Sequence, residues 1–308
     1  MSLFRFDFDI TNDSDEGKEY HAIEKDCENK RDDDKDAHSY VNLKVIPFQE
    51  QNINQLHYDT LALSSNCSIK FVKHVKVLEL SDKSDIVSGI YEGGLKVWEC
   101  SIDLCRYIYE NYCTSLTCQE SKPFSVLELG CGHGLPGCLV LKMIPNATVL
   151  FSDFNDFVLN FATIPNVNLN CVDNRQIGER GIFVSGDWNK LSNQLLNGSL
   201  IDSILEQQQV EDRFCGKFDL VVAAETTYTP KAAEETAKLF AAHIKAPNGV
   251  GIIANKRYYF GCGGGSDAFR YALRRESLHV ETLYEFNDGS SNIRDLLKVS
   301  WMRSNSQC

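Results

Sequence analysis

No stretch of this 308-residue sequence is apolar for long enough to cross a bilayer; none approaches the ~18 residues a spanning helix needs. Its 12 cysteines include no C-x-x-C pair, and its histidines do not flank them at zinc-like distances, so no metal site is expected. The first ten residues hold no basic region followed by an apolar one, and no secretory signal is expected. Cysteines without a framework then read as reduced, buried thiols in the cytoplasm or nucleus. Positive charge is also short. Lys and Arg number 31 against 43 Asp and Glu, a net charge of −12, and a chain this acidic is a poor candidate for gripping nucleic acid through its phosphates.

The acidity is uneven. Residues 1–40 hold 13 Asp or Glu against 6 Lys or Arg, or −7, and the remainder 30 against 25, or −5. Phe4, Phe6 and Phe8 alternate with Arg5, Asp7 and Asp9, a strand period. Residues 11–39 are nearly free of large apolar side chains and cannot offset their ordering entropy, so 1–40 reads as an acidic, largely disordered segment. Residues 41–308 read as one domain, with an N-terminal extension (41–85) of mixed pattern and a core (86–308). A hydrophobic share of 43% suits a sizeable core.

That core is organised around Val126-Leu127-Glu128-Leu129-Gly130-Cys131-Gly132-His133-Gly134. An apolar strand runs into three glycines at alternate positions and then into a helix over 135–144. Glycine permits positive φ and close backbone approach, and the helix start offers free N–H groups to an anion. Two cofactor classes use such a turn. Gly132, Gly134 and Gly137 satisfy the dinucleotide pattern G-x-G-x-x-G. Glu128, Gly130, Gly132 and Gly134 satisfy E-x-G-x-G-x-G, a pattern that resembles motif I of S-adenosylmethionine (SAM) methyltransferases. His133 reads as an ordinary loop residue.

The rest of the chain weighs between the two. Strands at 125–130, 147–152, 181–185, 218–224 and 249–254 alternate with helices near 135–144, 155–163, 230–245 and 266–276, which predicts a mostly parallel sheet covered on both faces. An amphipathic helix at 100–113 precedes them. The last strands, 279–286 and 296–302, follow without a helix between, which predicts a closing antiparallel hairpin where a dinucleotide domain would carry another crossover helix. Residues 189–216 read as a polar inserted loop with a short helix.

Candidate site residues fall at the carboxyl ends of strands, where open α/β sheets bind ligands. Asp153 can accept two ribose hydroxyls or cap the next helix. Asp187 can accept from an adenine amino group, and Trp188 can stack on the purine; dinucleotide folds do not require that pair. Glu225 and Tyr228 can face a reacting centre together, ahead of a helix that Pro230 starts. Tyr258, Tyr259 and Phe260, followed by a glycine run, do not suit a core helix and can hold a planar side chain.

Seven segments together resemble the histidine protein methyltransferase family: SGIYEGGLKVWEC (88–100), LELGCGHGLPG (127–137), FSDFN (151–155), TIPNV (163–167), FVSGDW (183–188), FDLVVAAETTY (218–228) and NKRYYFGCGGG (255–265). The resemblance implies a Rossmann-like seven-stranded SAM methyltransferase sheet. It implies a SAM-dependent enzyme that methylates a histidine of a large-subunit ribosomal protein, with the tele nitrogen suggested by the family. Val97, Trp98 and Glu99 would flank the cofactor, and Gly130 and Gly132 would line its methionine moiety. Asp153 and Asn155 would take the ribose, Asp187 and Trp188 the adenine, with Phe154 and Gly186 beside them and Ala224 near the sulfonium. Glu225 and Tyr228 would be catalytic, and Tyr258, Tyr259 and Phe260 would meet the substrate. A lysine or small-molecule target, or a non-catalytic role in ribosome assembly, are the alternatives.

Overall fold

The computed structural model describes residues 41–73, 90–114, 122–171, 177–200, 216–287, 289 and 292–302. The alternating Phe4–Phe8 segment, the acidic stretch at 11–39 and residues 201–215 of the expected insertion lie outside the described residues.

Ten strands are described. β1 (Lys44–Ile46) is followed by a hairpin of β2 (Tyr58–Ser64) and β3 (Cys67–Val72). Helix α1 (Glu99–Ile108) runs on through a wider π turn (Tyr109–Cys113). Then come β4 (Phe124–Leu129), α2 (Leu135–Met143) and β5 (Ala147–Asp153). Helix α3 starts at Asp156–Val158, widens to a π turn at Leu159–Thr163 and continues over Ile164–Asn170. A short α4 (Ile177–Arg180) leads to β6 (Gly181–Ser185), α5 (Trp188–Leu196), β7 (Leu220–Ala224), α6 (Pro230–His243), β8 (Val250–Lys256), α7 (Ser266–Leu273), β9 (Leu278–Phe286) and β10 (Arg294–Trp301).

The main sheet runs β1-β6-β5-β4-β7-β8-β10-β9. The strands from β6 to β8 are parallel, and β10 is antiparallel to both β8 and β9. The closing hairpin is therefore present, with the last strand inserted inside the penultimate one. The sheet has eight strands instead of seven because β1, from the N-terminal extension, adds antiparallel to β6 through Lys44↔Ser185 to Ile46↔Phe183.

Side-chain alternation along the buried strands makes two cores. Val126, Leu220, Val222, Ile252 and Ala254 pack on α1, α2 and the Phe151–Phe183 stack. Leu127, Leu129, Val221, Ala223 and Ile253 pack on α5, α6 and α7. Cys100, Cys105, Cys131 and Cys138 are buried free thiols whose pKa values burial pushes well up, so they pack as small hydrophobes.

Helix α3 extends beyond its expected end at 163. A proline inside a regular helix loses one hydrogen bond and clashes with the carbonyl four residues back. The π turn just ahead of Pro165 widens the ladder there and lets the helix continue. The extra turns carry asparagines four residues apart. Asn166 Oδ1 accepts from Val72 N–H at 2.7 Å, and Asn170 bonds both the N–H and the carbonyl of Lys70. Two amide side chains thus satisfy the open edge of β3.

Candidate active site

Glu128 sits at the end of β4, and its carboxylate accepts the N–H of Gly137 at 2.8 Å. Burial pushes its pKa up to about 8. A carboxyl with a raised pKa in the fold contributes stability that is complete below its unfolded value near 4.5 and is lost as pH rises through 8. Glu128→Gln, which keeps the shape without the charge, should therefore gain stability relative to the parent between those limits. The gain should be at most about 1.4 kcal/mol per pH unit. Urea unfolding of both proteins at several pH values checks this; a constant difference across the range contradicts it.

The three glycines after β4 are all left-handed, with φ of 58° at Gly130, 52° at Gly132 and 64° at Gly134. A Cβ on Gly130 would lie 3.0 Å from Thr226 Cγ2 and 3.4 Å from the Trp188 ring, and one on Gly132 would lie 3.1 Å from the Gly94 carbonyl. The turn is thus closed in by three separate segments. His133, read from sequence as an ordinary loop residue, is a clamp. Its Nε2 lies 3.0 Å from the Leu95 carbonyl and Nδ1 3.2 Å from the Asn166 amide. A carbonyl only accepts, so Nε2 carries the proton, and burial lowers the ring's pKa to about 4.

Asp153, ending β5, does not cap the next helix. Its carboxylate accepts the N–H of Gly132 at 2.9 Å and of Asn155 at 3.1 Å. Burial raises its pKa to about 6 against the pull of those bonds. Asn155 spends its side chain elsewhere: it donates to the Ile90 carbonyl at 2.8 Å and accepts from Glu92 N–H at 3.4 Å. It fastens residues 90–98, which lie across the rim as a flap. Phe154 between them is half-buried. Trp98 donates Nε1–H to the Gly93 carbonyl within that flap, and Val97 joins the core below it. Glu99 opens α1 and pairs with Arg294, which also holds the buried Asp103 at 2.8 Å.

At the end of β6, Gly186 has φ 130° and donates its N–H to the Asp153 carbonyl. A Cβ on it would meet the Asn42 carbonyl at 2.7 Å, so the glycine admits the chain entering β1. Asp187 caps α5 by accepting Lys190 N–H on Oδ1 at 3.0 Å. Trp188 is half-buried beside Gly130, and its Nε1–H has no hydrogen-bond partner among the described residues.

Glu225, after β7 and next to the half-buried Ala224, takes φ 56°, which is uncommon outside glycine, and is 9% exposed. Such a conformation persists at a site the surroundings over-determine. Its N–H is tied to the Ala254 carbonyl. Its Oε2 lies 3.2 Å from Lys256 Nζ and 3.4 Å from the Tyr259 hydroxyl, and Oε1 is buried with no hydrogen-bond partner among the described residues. Tyr228 does not share a partner with Glu225. It donates its hydroxyl to Glu92 on the flap.

The aromatic trio divides. Tyr258 and Phe260 are 54% and 76% exposed, whereas Tyr259 is buried against Glu225. Only the outer two present faces to a macromolecule. Sequence reasoning missed Glu92 and Lys256 as members of the site. Both lie inside segments it singled out, but their partners are remote in the chain.

The Gly130 cradle and the unpartnered indole N–H fit a cofactor whose purine lies on Trp188 and whose tail follows the glycine turn. Among the described residues no cluster of three or more His, Cys, Asp or Glu is placed to hold a metal, and no helix is long and apolar enough to cross a membrane.

Several known proteins are similar to this chain. A Dictyostelium discoideum protein named histidine protein methyltransferase 1 homolog is 34% identical over 72% of this chain and 62% of its own. A Bos taurus protein of the same name is 29% identical over 68% of this chain and 56% of its own, and Schizosaccharomyces pombe histidine protein methyltransferase 1 is 32% identical over 65% and 62%. The chain thus spans about six-tenths of the length of these curated relatives. A family model described as lysine methyltransferase matches residues 76–259, more than half of the sequence. The chain therefore belongs to that methyltransferase family.

Proposed function

We propose that this chain is a SAM-dependent protein-histidine N-methyltransferase acting on a histidine of a large-subunit ribosomal protein, with the tele nitrogen as nucleophile, in the cytoplasm and nucleus. The observation that carries the target is Glu225. One oxygen of a rim carboxylate is held by Lys256 and the other has no hydrogen-bond partner among the described residues. The names of the relatives support the same target. Bound SAM supplies an electrophilic methyl group on a sulfonium, displaced in line as the sulfur leaves as a neutral thioether.

The chain's own residues then have limited work. A histidine with pKa ~6.5 is already largely neutral at pH 7, so it needs a fixed tautomer and an aligned lone pair. Alignment alone can supply about 7–11 kcal/mol. Glu225 Oε1 accepts the N–H of the ring nitrogen that does not attack, which leaves the other nitrogen's lone pair aimed at the methyl carbon. As positive charge passes to the ring, that carboxylate stabilises it. Asp153 and Asp187 would hold ribose and adenine, Trp188 the purine face, and Gly130 and Gly132 the amino-acid tail. Tyr228 secures the flap through Glu92, and Tyr258 and Phe260 lie where the target segment would approach.

A lysine target is the second reading, favoured by the description of the matching family. Incubating the protein with SAM and two peptides that differ only in histidine or lysine separates them. Methyl transfer to the histidine peptide is expected; transfer to lysine alone refutes the proposal.

A further inference from the structure

Under Trp98 lies a second charged group that the mechanism so far leaves unused. Lys256 ends β8 on the face that packs against α1, and its side chain is 1% exposed. Its Nζ lies 3.2 Å from Glu225 Oε2, 5.0 Å from the centre of the Trp98 ring and 5.8 Å from that of Tyr259. The Tyr259 hydroxyl donates to the same oxygen at 3.4 Å, and the Cys100 thiol, kept protonated by burial, faces the same carboxylate. On the neighbouring helix α1, Asp103 and Glu99 are both paired with Arg294, and the Lys96 ammonium lies 4.9 Å from the centre of the same Trp98 ring.

We infer that Lys256 is a positioning and specificity-determining residue: its ammonium fixes one oxygen of Glu225, points the other at the target ring, and keeps a cationic side chain out of the pocket. This rests on the histidine reading above. A rim carboxylate alone would draw in a lysine ammonium. Here the carboxylate already has its cation, enclosed by two aromatic rings and a thiol in surroundings of low polarity, where like charges repel strongly. A second ammonium reaching for Oε1 would come within a few ångströms of the first. A neutral imidazole brings one N–H and no charge, which suits a carboxylate whose other oxygen is already held by a cation. Discrimination by a built-in repulsive group is a common route to specificity.

The test compares Lys256→Met and Lys256→Gln, which remove the charge, with Lys256→Arg, which keeps it. Each is assayed on the paired histidine and lysine peptides at saturating SAM, with the SAM dissociation constant measured by calorimetry. Loss of charge should lower kcat on the histidine peptide at least about ten-fold. It should raise the lysine-to-histidine product ratio by about ten-fold or more, with SAM affinity within about two-fold. Lys256→Arg should keep the parental ratio. A purely structural lysine would lower both rates together at constant ratio, and that result overturns the inference while leaving the histidine assignment standing. A parent protein that methylates only the lysine peptide overturns both.

Discussion

Glu225→Ala is expected to lower kcat on a histidine substrate by about 10²–10³-fold, with the SAM dissociation constant held within about two-fold. The site makes this separation possible. Glu225 touches Lys256 and Tyr259 through Oε2, while the glycine turn is closed in by Gly94, Trp188 and Thr226. Removing the carboxylate leaves the target ring free to rotate and to present the wrong tautomer, and it removes the anion that faces the charge forming on the ring. It also removes the carboxylate that lies 3.2 Å from the buried Lys256 ammonium, which costs stability. Glu225→Gln keeps the shape and an acceptor oxygen, so it should fold more readily and lose less activity than the alanine variant. Stopped single-turnover assays with calorimetry of SAM binding measure the two effects apart. A loss that falls on SAM affinity would make Glu225 a cofactor ligand.

Asp153→Ala should have the opposite signature: SAM affinity lowered about 10–100-fold, with kcat at saturation much less affected. A carboxylate hydrogen bond to a neutral donor contributes about 1.5–3 kcal/mol, and about 1.4 kcal/mol is ten-fold in affinity. The same carboxylate accepts the Gly132 N–H, so its loss also loosens the cradle. Because burial raises its pKa to about 6, the parent protein should bind SAM more tightly as pH rises through 6. Asp153→Ala should lack that dependence. Calorimetric titrations at several pH values check both parts; an unchanged affinity would remove Asp153 from the ribose site.

Much of this was legible in the chain because the informative features are local. Three alternate glycines, a strand before them and a helix after them place a tight turn without any tertiary knowledge, and all three are left-handed. Asp153 and the Gly186-Asp187-Trp188 segment follow from their positions at strand ends. What was not legible depends on remote partners. Strand β1 is three residues long and carries no period; only its pairing with β6 creates it. Tyr228 and Glu225 stand three apart and look like a pair, but each has a partner elsewhere, Glu92 from the flap and Lys256 from β8. Asn155 reads as a ribose ligand, yet its amide ties down the flap. Helix α3 outruns its proline because a π turn precedes it, and no periodicity count anticipates that.

The central claim is that a methyl group reaches an imidazole nitrogen held by Glu225. Its most direct test is tandem mass spectrometry of large-subunit ribosomal proteins incubated with the purified chain and SAM, with Glu225→Ala in parallel. The account predicts one added methyl group, assigned by fragmentation to a histidine and absent with the variant. A methyl group on lysine, or equal methylation by the variant, would contradict it.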